Sequence, residues 1–346
     1  MKYLVAITVM FFSLVSISQA SEHAPGKSFG ARSSEKPHWF KESFLEFEED
    51  VAEATTSGRR VMIYFHQESC PYCARLVAEN FGDPEIEAFV RKHFDGITIN
   101  MWGDREVVSV AGQNFTEKTF AAALRVQYTP TIIFLDESGK VALRLNGYYP
   151  PDEFRKALDF VSKHLEMKMS FSQYLAGQSQ LTSNNLISED FYLAASNLEK
   201  VIAQSKKPLA VYFESDDCME CKTTHQRILT DKTTRNLVTQ LNNVQLGIYS
   251  DNKIITPEGV ATTARAWAEE LGISYAPSLV FFDNQGVEVM RIEAFLKTFH
   301  FQSVHAYVLE KAYIEEPSFQ RYIATRAENL REQGFDTDIW GYESFH

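Results

Sequence analysis

Apart from two Cys-x-x-Cys pairs, Cys70 with Cys73 and Cys218 with Cys221, this chain of 346 residues has no cysteine. A disulfide scaffold scatters its cysteines to close long loops, whereas these pairs close minimal loops and add little chain-entropy stabilisation. Their value therefore lies in redox chemistry or metal binding. Positive charge is also in deficit: 34 Lys and Arg stand against 46 Asp and Glu, for a formal net charge of −12. An acidic surface argues against nucleic acid and anionic membrane as partners. Long apolar runs are scarce as well. The one at the start, Tyr3 to Val15, follows Lys2 and precedes Ser18-Gln19-Ala20. That is the n-region, h-region and small-x-small pattern of a cleavable export signal over residues 1–20. It is short for a membrane span, and polar residues rather than a basic stop-transfer cluster follow, with a retained anchor as the alternative. No cysteine lies near the cleavage point, which argues against a lipid anchor. Cleavage would begin the mature chain at Ser21 and leave a charge of −13, because Lys2 is the only charged residue lost from −12. The expectation is a soluble protein in the periplasm or secreted.

An internal repeat organises what remains. Placing Cys70 on Cys218 slides the chain by ~148 residues. Val61-Met62-Ile63-Tyr64-Phe65 then falls on Leu209-Ala210-Val211-Tyr212-Phe213. After one deletion, Thr129-Pro130-Thr131-Ile132-Ile133-Phe134 falls on Ala276-Pro277-Ser278-Leu279-Val280-Phe281. Each copy reads as an amphipathic helix (44–55; 191–204), a β-branched and aromatic strand ending at the cysteine loop, and a helix from the first cysteine. A second strand follows (94–101; 244–249), then a helix (115–124; 260–271), a Pro-led strand, a turn, another strand and a closing helix (151–164; 301–311). Alternation of this kind specifies an α/β fold: two tandem domains, each a central mixed sheet flanked by helices. The expected boundaries are a first domain over 21–166, a connector over 167–188, a second domain over 189–312 and a helical tail over 313–346. The connector holds the Ser/Gln/Asn-rich run 177–185 and reads as flexible, leaving the domains free to reorient. The tail has no counterpart in the first copy, and its apolar residues are expected to dock back on a domain.

Two cysteines two residues apart at a helix start put the first sulfur where backbone N–H groups and the helix dipole favour thiolate. The second lies a turn inside. The first thiolate attacks a disulfide and the second resolves the mixed disulfide. Cys70 and Cys218 are thus the candidate nucleophiles, with Cys73 and Cys221 as resolving thiols.

The strand, the Cys-x-x-Cys helix start and the later Thr-Pro or Ala-Pro resemble the thioredoxin-like superfamily in both halves. The first half is similar to SoxW-type thioredoxin-related proteins of the bacterial periplasm. The resemblance implies cis bonds at Pro130 and Pro277 beside the cysteines. It also implies that Thr129, Pro130, Ala276 and Pro277 receive an extended client segment. It further implies thiol–disulfide oxidoreductase activity on protein disulfide or dithiol clients, in the reducing direction, with thiols recharged by a membrane electron donor and no cofactor. The sequence departs from the family where thioredoxins keep a buried acid: Tyr64 and Tyr212 stand there. Proton transfer to the resolving cysteine must then use another group, with Glu68 as a weak candidate, or water.

Charge separates the sites. From Tyr64 to Leu76, Glu68 balances Arg75, with His66 nearby, whereas from Tyr212 to Thr224, Glu214, Asp216, Asp217 and Glu220 oppose only Lys222. Like charge around a thiol opposes its ionisation, so Cys70 is expected to be the faster nucleophile and the second pair the more reducing. Two readings then stand: a relay of electrons from the second pair to the first, or a partly degenerate second domain used for binding. Competing readings are a client-binding or chaperone-like protein without turnover, a structural zinc site, and a copper-handling pair joined by His66 or His225. The pairs are much farther apart than in zinc motifs, and both survive in full. Trp102 and Tyr249, at matching places after the second strand, read as packing aromatics, with a client-contacting surface as the alternative. Met167 and Met169 read as core. Sequence does not fix the oligomeric state.

Overall fold

The computed structural model describes residues 24–178 and 185–345. The expected export signal and most of the Ser/Gln/Asn-rich run lie outside the described residues. A short β1 (Ser28–Phe29) precedes α1 (Phe47–Thr56). The expected start at Phe44 is too early: that ring is 95% exposed, while Leu45 takes a positive φ and turns inward. Next come β2 (Arg60–His66), α2 (Pro71–Leu76) with a π-helical continuation over Val77–Phe81, α3 (Pro84–His93) and β3 (Phe94–Asn100). Asp83 caps α3 by accepting from the amides of Glu85 and Ile86. A hairpin of β4 (Glu106–Val108) and β5 (Asn114–Thr116) leads to α4 (Glu117–Ala123), β6 (Thr131–Leu135), β7 (Val141–Asn146) and α5 (Pro151–Ser162).

Residues 167–188, expected as a connector, carry α6 (Phe171–Gln178), whose Phe171 and Leu175 are buried. The second unit repeats the first with α7 (Leu198–Gln204), β8 (Leu209–Glu214), α8 (Met219–Thr223), a π-helical turn over Thr224–Ile228, α9 (Lys232–Val238) and β9 (Asn242–Gly247). It continues through β10 (Lys253–Ile255), β11 (Ala261–Thr263), α10 (Ala264–Glu270), β12 (Ser278–Phe282), β13 (Glu288–Ile292) and α11 (Thr298–Leu309). The tail forms α12 (Phe319–Glu332) and β14 (Thr337–Asp338), which pairs parallel with β1. The helix expected from Phe191 begins only at Leu198, because Leu193 pairs with Asn243 and Asn197 caps Lys200. The hairpins β4–β5 and β10–β11 and the helices α3 and α9 add to the elements expected from sequence, although Asp83 and Asp231 cap the two helices. No helix among the described residues is long and apolar enough to cross a membrane.

Both sheets have the same order, β3-β2-β6-β7 and β9-β8-β12-β13. In each, the first two strands run parallel and the others antiparallel. Alternation along the central strands divides the apolar side chains between two faces. Ile63 and Phe65 face a core private to the first unit, and Val211 and Phe213 one private to the second. Met62, Tyr64, Ala210 and Tyr212 face a third core, shared by both units and the tail. A fully buried Phe or Leu contributes roughly 1.5–3 kcal/mol, so this shared core holds the units together rather than leaving them free to swing. Phe319, Ile323 and Leu330 of α12 join it, as expected of a tail that docks back.

The units meet with two pairs of equivalent positions touching. Asn146 donates to its counterpart Glu293 at 3.3 Å, and the Tyr128 hydroxyl accepts from the Glu293 amide at 3.2 Å. Gly147 faces Ala294, its counterpart, so closely that a Cβ would lie 2.3 Å from the alanine methyl, and its φ is +84°. Glycine is required there on both counts.

Candidate active sites at the two cysteine pairs

Each pair begins a helix at the C-terminal edge of its central strand. Cys70 caps α2, and its sulfur accepts from the Cys73 amide at 3.0 Å; Cys218 caps α8 and accepts from Cys221 at 2.8 Å. Both pairs are closed as disulfides. Pro71 at the first helical position has no N–H to leave unpaired. The bonds preceding Pro130 and Pro277 are cis, as the resemblance implied. Across from each first cysteine, the Thr129 carbonyl oxygen lies 3.6 Å from the Cys70 sulfur and that of Ala276 lies 3.2 Å from Cys218. The structure thus assembles all eight expected site residues into two equivalent clusters.

A cis X-Pro facing a helix-capping Cys-x-x-Cys pair occurs twice, on two sheets of identical order, and a family model described as "Thioredoxin-like domain" matches residues 47–162 and 195–309, more than half of the chain. The chain belongs to the thioredoxin-like family. Among solved structures, a thioredoxin-fold protein from Helicobacter pylori is 22% identical, covers 39% of this chain and 91% of its own, and gives a TM-score of 0.32. A thioredoxin from Thermus thermophilus is 25% identical over 40% of this chain and 87% of its own, with a TM-score of 0.28. A putative disulphide-isomerase from Bacteroides thetaiotaomicron is 22% identical over 42% of this chain and 98% of its own, also at 0.28. A comparison with curated proteins finds no match. Paired cysteines in two thioredoxin-like domains support thiol–disulfide oxidoreduction as the general chemistry.

The two thioredoxin-like sites differ in their surroundings. The Thr129 hydroxyl donates to the Cys70 sulfur at 3.4 Å, and Ala276 has no such donor. Tyr72, inside the first motif, is clamped: its hydroxyl accepts from the Lys297 amide at 2.8 Å, and its ring packs edge-on against His300 and Trp340. The Lys297 ammonium lies over the Trp340 ring at 3.8 Å, and burial with nearby Arg75 and Arg32 pushes it down to about 8. Beside Cys70 lies a cavity of 540 Å³; beside Cys218 one of 420 Å³ is bordered by Asp152, Glu153, Asp217 and Glu220. Each cysteine is nearly closed off, Cys70 at 4% and Cys218 at 7% exposed.

The charge count around Cys218 needs correction. Glu214 is not a loop acid but a buried strand residue: it pairs with His225 Nε2 at 3.0 Å and accepts from Gln245 at 2.7 Å. The other His225 nitrogen meets Glu189 at 2.9 Å. Burial opposes charge on His225, but its bonds to Glu214 and Glu189 outweigh it and raise the pKa. With both ring nitrogens engaged, His225 offers no lone pair to copper, and no group of three or more His, Cys, Asp or Glu among the described residues is arranged to hold a metal. Burial lowers the pKa of His66. Beneath the motifs, Tyr212 donates to His305 Nε2 at 3.0 Å, while Tyr64 in the first domain packs against Phe40 and Phe81. Trp102 and Tyr249, read as packing aromatics, instead border the two cavities, and Met167 and Met169 are exposed rather than core. Tyr128, Phe295, Ile323 and Ile339 also line the first cavity. They escaped sequence reasoning because they approach from three distant stretches of chain.

Proposed function

We propose that this protein is an exported, periplasmic or secreted, thiol–disulfide oxidoreductase that reduces protein disulfides at Cys70 and Cys73. The reading rests chiefly on the two donors aimed at the Cys70 sulfur, the Cys73 amide and the Thr129 hydroxyl, which favour thiolate on the first cysteine. That thiolate attacks a client disulfide, forms a mixed disulfide and releases one client thiolate, which takes a proton from water. Cys73 then loses its proton and attacks the Cys70 sulfur, expelling the second client thiolate. The client gains two electrons and the Cys70–Cys73 disulfide closes. Backbone at Thr129 and Pro130, beside the sulfur, receives the client strand, with Ala276 and Pro277 as counterparts. The SoxW-type resemblance favours the reducing direction, as do connections between β3 and β6 that hold only a hairpin and α4. In an oxidising compartment, a membrane dithiol donor restores the thiols. Insulin reduction driven by a small dithiol tests the proposal: acceleration above the uncatalysed rate is expected, and a client-binding protein without turnover gives none.

A second reading makes Cys218 and Cys221 the electron partner of the first pair. It is favoured by Asp217 and Glu220 at the border of the Cys218 cavity, since like charge beside a thiol favours the disulfide and makes that pair the more reducing. Unchanged steady-state turnover after Cys218→Ser with Cys221→Ser would remove the relay. The potential of each pair is best measured on the full chain with the other pair replaced, because the shared core joins the domains.

A further inference from the structure

We infer that the cavity beside Cys70 binds a bulky apolar side chain next to the client's cysteine, and that the tail helix α12 sets this preference. The inference rests on the reading of Cys70 as the client-attacking sulfur. Its first support is composition: Cys70 shares the 540 Å³ space with Tyr128, Phe295, Ile323 and Ile339, contributed by the first domain, the second domain and the tail. That volume falls within the ~300–1,000 Å³ range of clefts that enclose small ligands.

The second support is that several polar groups at the wall are already engaged, His300, whose Nδ1 is buried without a partner, being an exception. The Tyr72 hydroxyl holds the Lys297 amide and that of Tyr128 holds the Glu293 amide. Gln67 accepts from Trp102 Nε1 at 2.7 Å and donates to Gln320 of α12 at 2.9 Å. A polar occupant that does not reach His300 would shed water without replacing its hydrogen bonds, whereas an apolar one sheds nothing it needs. The third support is the fixing of α12 to the redox loop. Besides the Gln67–Gln320 bond, the Arg321 guanidinium lies 5.5 Å over the Trp102 ring, and Phe319 and Ile323 are buried. The equivalent space beside Cys218 is bordered by Asp152, Glu153 and Glu220 and has no tail element, so an apolar wall is not a property of the repeat.

The test uses two peptides of equal length, each with one cysteine replaced by serine so that no exchange occurs, carrying Leu or Asp beside that position. Calorimetry on the full-length protein is expected to give about tenfold to hundredfold tighter binding of the Leu peptide, the ratio that burying one such side chain supplies. Ala324→Trp, at an exposed position on the cavity's mouth, fills the space from a site that the fold leaves open. It should erase the difference at an unchanged melting temperature. Equal affinity for the two peptides, or a preference that survives Ala324→Trp, overturns the inference. Reduction of bis(2-hydroxyethyl) disulfide by the wild-type protein reports separately on the oxidoreductase reading. Its failure would sink that reading whatever the peptides show.

Discussion

Cys70 and Cys218 begin equivalent helices on equivalent sheets, yet the first faces an apolar chamber closed by the tail and the second a cleft bordered by carboxylates. A hydroxyl donates to the first sulfur, and none stands at the same place by the second. The difference does not arise within the motifs alone. Each domain's redox face is covered by the other domain, and the tail attaches on one side only, so duplication still yields unequal sites. The loop charges that first distinguished the pairs matter less than their count, because Glu214 is buried against His225.

The sharpest way to break the comparison is to remove each nucleophile. Cys70→Ser should lower insulin reduction at least ~100-fold, as loss of a nucleophile removes covalent exchange outright, while Cys218→Ser should leave most of it. Equal losses would make the sites equivalent. Next is the pH dependence of stability, to which burial of His66 in the first domain and of His300 and His305 in the second contributes. His305 donates through Nδ1 to the Phe301 carbonyl, accepts from Tyr212, and is held by burial at about 4 against an ordinary 6.5. As pH falls from 6.5 through 4, the unfolded chain takes up this proton first, so stability is complete above 6.5 and is lost on the way down. The loss is up to about 3 kcal/mol. Urea midpoints should show the slope, and His305→Gln should reduce it, with His300 supplying much of the rest; an unchanged slope would assign it elsewhere.

The interface itself is tested by Gly147→Ala, which forces a methyl onto Ala294 at positive φ. A loss of about 1–3 kcal/mol is expected in chemical denaturation, with both sites more open to alkylation. No loss would argue against the close approach of the domains. The smallest effect is the swap of hydroxyls. Thr129→Ala removes one hydrogen bond of about 1 kcal/mol and should slow Cys70 alkylation at pH 7 roughly fivefold, while Ala276→Thr should speed Cys218. Mass-spectrometric alkylation rates on the reduced protein decide it, and no change in either would leave the amide at the helix start as the only contributor.

Local chemistry reads directly from sequence here. The repeat, the α/β class, the helix-capping cysteines and the two prolines each depend on residues within a few positions of one another, and the central strands announce themselves by unbroken apolar runs such as Val61 to Phe65. The errors share one cause. Phe191 to Asn197 have a helical pattern, but Leu193 pairs with Asn243 about fifty residues later, and a single-stretch pattern carries no record of that partner. Glu214 entered the charge count around Cys218, but His225 and Gln245 hold it buried. Trp102 and Tyr249 had matching places but no stated neighbours.

Sequence by itself determined that this protein has two thioredoxin-like domains, each with its own Cys-x-x-Cys pair, because those properties reside in motifs and local periodicity. Only the tertiary structure decided that the domains share a core, that each covers the other's redox face, and that α12 gives the first site an apolar wall. These depend on contacts between residues up to hundreds of positions apart, such as Gln67 with Gln320 and Tyr72 with Trp340, whose energies exist only once the chain has folded.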